Sequence, residues 1–197
     1  MPDDHRPTDQ HRGWYTRGYL PHFDAAGTVQ SVTYRLADAL PAAVLVKMEQ
    51  DLATLPADLR TTDLRRQIDE YLDAGHGSCL LQDPRCAQIV IGAWQHHDRV
   101  RYDLGPWVVM PNHVHVMVRI HPGHPLPDII RGWKHFTAAA INRLRGVRGR
   151  LWQADFWDRH IRDQDHAEQT AAYVLDNPVR AGLTSERHTW PWSSATT

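Results

Sequence analysis

Four residues of this 197-residue chain have the types and spacings that phosphoryl transfer requires. In HVHVMVRI, residues 113 to 120, the alternation has a period of two, the pattern of a β-strand. His113, His115 and Met117 therefore share one face, and Val114, Val116 and Val118 the other. Two imidazoles separated by one strand residue can reach one divalent ion. An H-x-H pair also occurs as packing or hydrogen-bonding histidines on a sheet face, so the pair alone does not decide the matter. In YVLDN, residues 173 to 177, Tyr173 and Asn177 lie four apart, which makes them neighbours on one face of a helix. A tyrosine there is more often a core-edge residue than a nucleophile. Combined with the His pair it means more. Transesterification of a phosphodiester needs a hydroxyl nucleophile and a hard cation that polarises a non-bridging oxygen.

The elements that must position these groups are legible in outline. Val32, Tyr34 and Leu36 alternate with polar residues and predict a strand over 29–36. From Pro41 to residue 74 two apolar stripes, one of Val44, Leu45, Met48 and Leu52 and one of Leu64, Ile68, Tyr71 and Leu72, predict a helical arm broken near Pro56. Asp83 and Pro84 read as the N-cap and first position of a further helix with Cys86, Ile89, Val90 and Ala93 on its apolar face. Residues 100–109 form a second strand, joined to the histidine strand through Met110-Pro111-Asn112. A long amphipathic helix follows over 126–145, then the loop GVRGR, a loop with a short strand in LWQADFWDRHIRD, and a last helix over 165–176 stopped by Asn177-Pro178. Residues 1–18 are polar and aperiodic and read as a flexible tail. The expectation is one domain over 19–197, of mixed α+β class with helices on one sheet face, carrying a helical insertion at about 41–75.

Composition narrows the class. With 42% hydrophobic residues the chain can bury one substantial core. Two cysteines are too few for a disulfide framework, which points to a reducing, cytoplasmic compartment. The start of the chain has no apolar leader pattern, and no apolar run is long enough to span a membrane. A formal charge of -1 looks unfavourable for nucleic-acid binding until it is resolved along the chain. Between residues 129 and 162 eight Lys and Arg stand against two acidic residues. That cationic stretch lies between the histidines and the tyrosine. Its members Arg131, Lys134, Arg143, Arg145, Arg148, Arg150, Arg159 and Arg162, with Trp152 as a stacking group, are the candidate DNA contacts. Trp133 and Phe136 read as core. His96, His97, His121 and His124 sit at element ends or in loops and complete no ligand set.

The ordered motifs WVVMPNHVHVMV at 107–118, WK.FT at 133–137, FWDRHIRD at 156–163 and YVLDNPVRAGL at 173–183 closely resemble those of REP-associated tyrosine transposases, in the IS200-like, single-tyrosine branch of the HUH endonucleases. The resemblance extends to GYLPHFDAAGTVQSVTYRLADALP at 18–41, GSCLLQDP at 77–84 and WPWSSA at 190–195. It implies a ferredoxin-like or RRM-like antiparallel sheet with the His pair on a central strand and the tyrosine on a helix beside it. By the same resemblance His113 and His115 bind Mg²⁺ or Mn²⁺, Asn177 is the third ligand, and Tyr173 is the nucleophile that forms a 5′-phosphotyrosine. The implied partner is single-stranded or hairpin DNA with short REP-like palindromes, and the implied state a monomer or weak homodimer. Two other classes stay open from the residues alone. One is a non-catalytic hairpin DNA or RNA binder on the same fold. The other is a histidine-triad-like nucleotide hydrolase, against which Met117 at the third alternate position counts. No general base is legible.

Overall fold

A computed structural model describes residues 11–17 and 20–196. In chain order it contains a hairpin of β1 (Gly13–Arg17) and β2 (Leu20–Asp24), then β3 (Val29–Arg35), α1 (Ala42–Asp51), α2 (Ala57–Asp73), α3 (Pro84–Gln95), β4 (Tyr102–Val109), β5 (His113–Ile120), α4 (Leu126–Arg145), β6 (Trp157–Ile161) and α5 (Gln164–Arg180). The main sheet has the order β4-β5-β3-β6 with every neighbouring pair antiparallel. This is the ferredoxin-like β-α-β-β-α-β order, with β5 and β3 inside. The histidine strand is therefore paired on both edges.

Register fixes the faces. Val32 lies opposite Val116, Tyr34 opposite Val114 and Thr33 opposite His115. The valine face is buried, and α3 and α4 cover it with Cys86, Val90, Trp94, Ile130, Trp133 and Ile141. Each fully buried valine there contributes about 1.5–3 kcal/mol. The polar tips of the large aromatics are satisfied within this layer. Trp94 Nε1 donates to Tyr34 Oη at 3.0 Å, Trp133 Nε1 donates to Tyr102 Oη at 2.9 Å, and Tyr102 Oη donates to the Trp94 carbonyl at 2.6 Å. Asp83 accepts from Arg85 N at 2.9 Å and caps α3, as its position before Pro84 predicts.

The expected helical layer on one face is thus formed by α3 and α4. α5 lies on the opposite face, where Val174 packs among Val108, Met110, Met117 and Ile161. α2 presents two parallel stripes. Leu64, Ile68 and Leu72 are buried in the core, while Arg65, Asp69 and Asp73, one position further on, reach the histidine face.

Three features depart from the sequence-based expectations. Residues 13–17 fall in the expected tail, yet they form β1, with Trp14 opposite Phe23 and Tyr15 opposite His22. The hairpin is held by carboxylates rather than by an apolar alternation, which is why no periodicity marks it. Asp24 accepts from His11 Nδ1 at 2.9 Å and from Leu126 N at 3.1 Å, and Asp158 accepts from Phe23 N at 2.9 Å and pairs with His22. Burial disfavours a charge on His22, but Asp155 and Asp158 outweigh it and push the ring up to about 9. Second, α5 does not stop at Asn177-Pro178 but runs through Pro178 to Arg180. The proline φ suits a helix, and so near the C-terminus it forfeits a single backbone bond; Ala181 N still reaches the Asn177 carbonyl at 2.9 Å. Third, Phe136 is 57% exposed, because it falls on the outer face of α4 and not on the Trp133 stripe.

Candidate functional site: a histidine pair and a tyrosine

Asn112, in the tight β4–β5 connection, sets the chemistry of the first histidine. Its Nδ2 donates to the carbonyls of Leu72 at 3.0 Å and His76 at 2.8 Å, which leaves Oδ1 to accept from His113 Nδ1 at 2.7 Å. The proton is thereby held on Nδ1, and Nε2 keeps its lone pair. His115 Nδ1 lies 2.8 Å from Thr33 Oγ1, and the two Nε2 atoms converge to 3.0 Å. Burial, reinforced by His115 and Arg35, holds His113 well below its ordinary pKa; burial and Arg180 push His115 down to about 3. Both rings are neutral at physiological pH, the form that binds metal. Asn112→Ala removes three hydrogen bonds at once. It is expected to cost about 2–4 kcal/mol in chemical denaturation and to weaken Mn²⁺ binding about 10- to 100-fold in a calorimetric titration. Unchanged metal affinity in folded protein would contradict this role.

α5 brings the other half. Asp163 caps it by accepting from His166 N at 2.8 Å, and Thr170, Val174 and Asn177 on its inner face are buried. Tyr173 consequently stands edge-on to His115, with ring centroids 5.9 Å apart. Its hydroxyl donates to Asp69 Oδ2 at 2.8 Å, and the Arg180 guanidinium sits 4.6 Å from its ring centroid. Burial and the Asp69 carboxylate raise the Tyr173 hydroxyl above its ordinary value. Asn177, one turn on, is fully buried and donates Nδ2 to the Tyr173 carbonyl at 2.8 Å. Its Oδ1 has no hydrogen-bond partner in the protein. A buried amide oxygen without a partner, one helical turn from the tyrosine that meets His115, is a donor that suits a divalent cation taking mixed N and O ligands. Among the described residues no three His, Cys, Asp or Glu side chains could hold an ion.

Around these groups lies a cavity of about 430 Å³, lined among others by Thr33, His115, Trp157, Arg65, Tyr173 and Arg180. It is large enough for a nucleotide. Arg65 lies over Trp157, 4.6 Å from its ring centroid, and both Arg65 and the buried Arg35 have an Nε without a hydrogen-bond partner. Asp73 Oδ1 approaches His113 Nε2 to 3.7 Å, and burial, then Asp69, raises its carboxyl to about 6. Arg35, Arg65, Asp69, Asp73 and Arg180 were not among the residues singled out from sequence. The one available signal was the Arg65-Asp69-Asp73 stripe at helical spacing, which in sequence is indistinguishable from a solvated face.

Of the nine candidate DNA contacts, Arg159 alone lines the cavity. Arg143, Arg145 and Arg148 are exposed at the end of α4 and in the loop after it. Arg131 is exposed and pairs with Asp128 at 2.7 Å, Arg162 is exposed just after β6, and Arg150 Nε donates to the Trp152 carbonyl at 2.9 Å. Two of the nine have structural employment. Lys134 Nζ donates to the carbonyls of Gln153 at 3.0 Å and Asp155 at 2.7 Å, which pins the loop before β6. Trp152 is 4% exposed, donates Nε1 to Thr137 Oγ1 at 2.8 Å and meets Tyr34 edge-on, so its indole is a core group and offers no face for stacking.

Comparison with known proteins bears on the fold and on part of the sequence. Residues 86–176 match the family described as Transposase IS200 like. A REP-associated tyrosine transposase of Escherichia coli (strain K12) is 29% identical over 97 residues, a match that spans 47% of this chain and 54% of that protein. The chain thus aligns with about half the length of this curated relative. In structure, a REP-associated tyrosine transposase bound to a REP hairpin superposes with a TM-score of 0.55 at 18% identity, covering 91% of this chain and 82% of that one. The matched family segment starts in α3 and ends one residue before Asn177, so it takes in both histidines and the tyrosine. In fold, and over residues 86–176 in sequence, this chain resembles the REP-associated tyrosine transposases of the IS200-like family.

Proposed function

We propose that this protein nicks and rejoins single-stranded DNA through a covalent tyrosine intermediate, acting on or beside short palindromic hairpins. The observation that carries this reading is that Tyr173 and His115 line one cavity, with His113 Nε2 3.0 Å from His115 Nε2. Tyr173 Oη attacks the phosphorus, the P–O3′ bond breaks, and a 5′-phosphotyrosine and a free 3′-hydroxyl result. Attack by a 3′-hydroxyl reverses the step. One ester replaces another, so no external energy source is required. His113, His115 and Asn177 would hold Mg²⁺ or Mn²⁺, which supplies Lewis acidity toward a non-bridging phosphate oxygen. Arg65, Arg180 and Arg159 line the same cavity and balance the phosphate charge, and Asn112 and Thr33 keep the imidazoles oriented.

The test is incubation with labelled single-stranded oligonucleotides that carry the palindromes flanking the gene, with Mn²⁺ or with a chelator. A nicked product and a denaturation-resistant protein–DNA adduct with metal alone are expected. Nicking by hydrolysis without an adduct would overturn the proposal.

The exposed arginines after α4 are read as phosphate contacts outside the cavity. Arg148→Ala is expected to weaken hairpin binding equally for all sequences and to lower the slope of log affinity against log salt by about 1. An unchanged slope would remove Arg148 from the interface.

A further inference from the structure

We propose that Asp69, on helix α2, is the proton acceptor for the Tyr173 hydroxyl, so that α2 supplies a catalytic residue to the nucleophile. The inference rests on the strand-transfer reading above. Asp69 Oδ2 accepts from Tyr173 Oη at 2.8 Å. A phenol with an ordinary pKa near 10 is a weak nucleophile, and a general base must lie within about 2.6–3.2 Å of the proton it removes. Asp69 meets that requirement before substrate arrives. Its place is not incidental, because the buried Leu64, Ile68 and Leu72 stripe fixes the rotation of α2, and Arg65 stacked on Trp157 fixes its distance from β6. α2 ends before residue 86, outside the segment matched to the transposase family.

The groups that face Asp69 are Tyr173 and Arg180 from α5, Arg35 from β3, and Arg65 and Asp73 near it. Burial raises the carboxyl, while the Tyr173 hydrogen bond and then Arg65, Arg180 and Arg35 oppose that rise. As the Oη–P bond forms, the hydroxyl proton passes to Asp69 and the P–O3′ bond breaks. The departing 3′ oxygen takes a proton from solvent. On rejoining, the incoming 3′-hydroxyl releases its proton to solvent and Asp69 returns its proton to Tyr173, so the carboxylate is regenerated. An ionised Asp69 beside a free phenolate would be unfavourable, but in the transfer its negative charge is lost as charge develops on the phosphoryl oxygens.

The experiment compares wild type, Asp69→Asn and Asp69→Glu in single-turnover adduct formation across pH 5 to 10, with oligonucleotide affinity and thermal melting measured on the same samples. Asp69→Asn keeps the shape but cannot take a proton. Its rate is expected to fall 10²- to 10⁴-fold at neutral pH with affinity unchanged. The acid-side decline of the wild-type profile is expected to vanish and the rate to climb toward alkaline pH, with Asp69→Glu restoring part of the activity. A folded Asp69→Asn protein that reacts as fast as wild type, or faster, overturns the proposal and makes the contact a latch. A slowed variant whose pH profile keeps the wild-type shape also overturns it, as does an Asp69→Glu protein no faster than Asp69→Asn. Failure of the wild type itself to form an adduct is a different result, because it refutes the strand-transfer reading.

Discussion

Tyr173→Phe is expected to abolish covalent attachment of DNA while the fold and hairpin affinity stay in place. The substitution removes Oη and nothing else. The edge contact with His115 and the stacking of Arg180 over the ring use ring atoms that phenylalanine also has, while the interaction of Arg180 with the hydroxyl is lost. Asp69 loses one hydrogen bond, but Arg65, Arg180 and Arg35 still lower its carboxyl, so the stability cost is expected to stay near 1 kcal/mol. Adduct yield on a denaturing gel is expected to fall below detection, with hairpin affinity in a gel shift within about twofold. The loss of rate is set by chemistry. Without a nucleophile on the protein only water can attack, and that reaction leaves no adduct. An adduct that persists in the phenylalanine variant would move the nucleophile elsewhere.

His113→Ala and His115→Ala carry the second largest effect. Each removes one of two nitrogens that converge to 3.0 Å, and neither removes a charge, because both rings are held neutral. His113→Ala also strands Asn112 Oδ1, whose amide is committed to the Leu72 and His76 carbonyls, so a further stability cost of about 1–3 kcal/mol is expected there. His115→Ala frees the Thr33 hydroxyl, which can turn to another acceptor, and removes the contacts to His113 Nε2 and the Tyr173 ring, but strands no committed amide and is the cleaner test. Mn²⁺ affinity, read by the loss of free-ion signal in electron paramagnetic resonance, is expected to drop more than 100-fold, beyond what loss of an outer partner costs. Cleavage is expected to slow by about 10²- to 10³-fold, the range for losing one stabiliser of a developing oxyanion. Cleavage at the wild-type rate in His115→Ala would separate the histidine pair from the reaction.

Local patterns carried over into structure, and long-range ones did not. The 126–145 helix, the Asp83-Pro84 cap and the alternation of residues 113–120 are decided by neighbours in sequence, and each appears where the pattern puts it. The His pair and the four-residue offset of Tyr173 and Asn177 were legible for the same reason. Pro178 extends that offset into a helix longer than the usual stop signal allows. Asp69 and Asp73 were not legible, because their meaning comes from contacts with Tyr173 and His113 at separations of 104 and 40 residues. The hairpin at residues 13–24 is invisible to periodicity for a related reason: it is held through its own buried Asp24 and through the buried Asp158 and half-buried Asp155, which in sequence look like surface charges. Lys134 and Trp152 show the converse. Counting cations and aromatics locates a basic stretch, but only packing shows that this ammonium caps backbone carbonyls and this indole fills the core.

The central claim is that Tyr173 and the histidine pair form one reaction centre for single-stranded DNA. Its most direct test is mass spectrometry of the wild-type protein after reaction with a palindrome-bearing oligonucleotide and Mn²⁺, followed by protease and nuclease digestion. The account predicts a nucleotide joined through its 5′-phosphate to Tyr173, absent from a sample of His115→Ala treated in the same way. A 5′-phosphorylated product with unmodified Tyr173, or a nucleotide joined to any other residue, would contradict it.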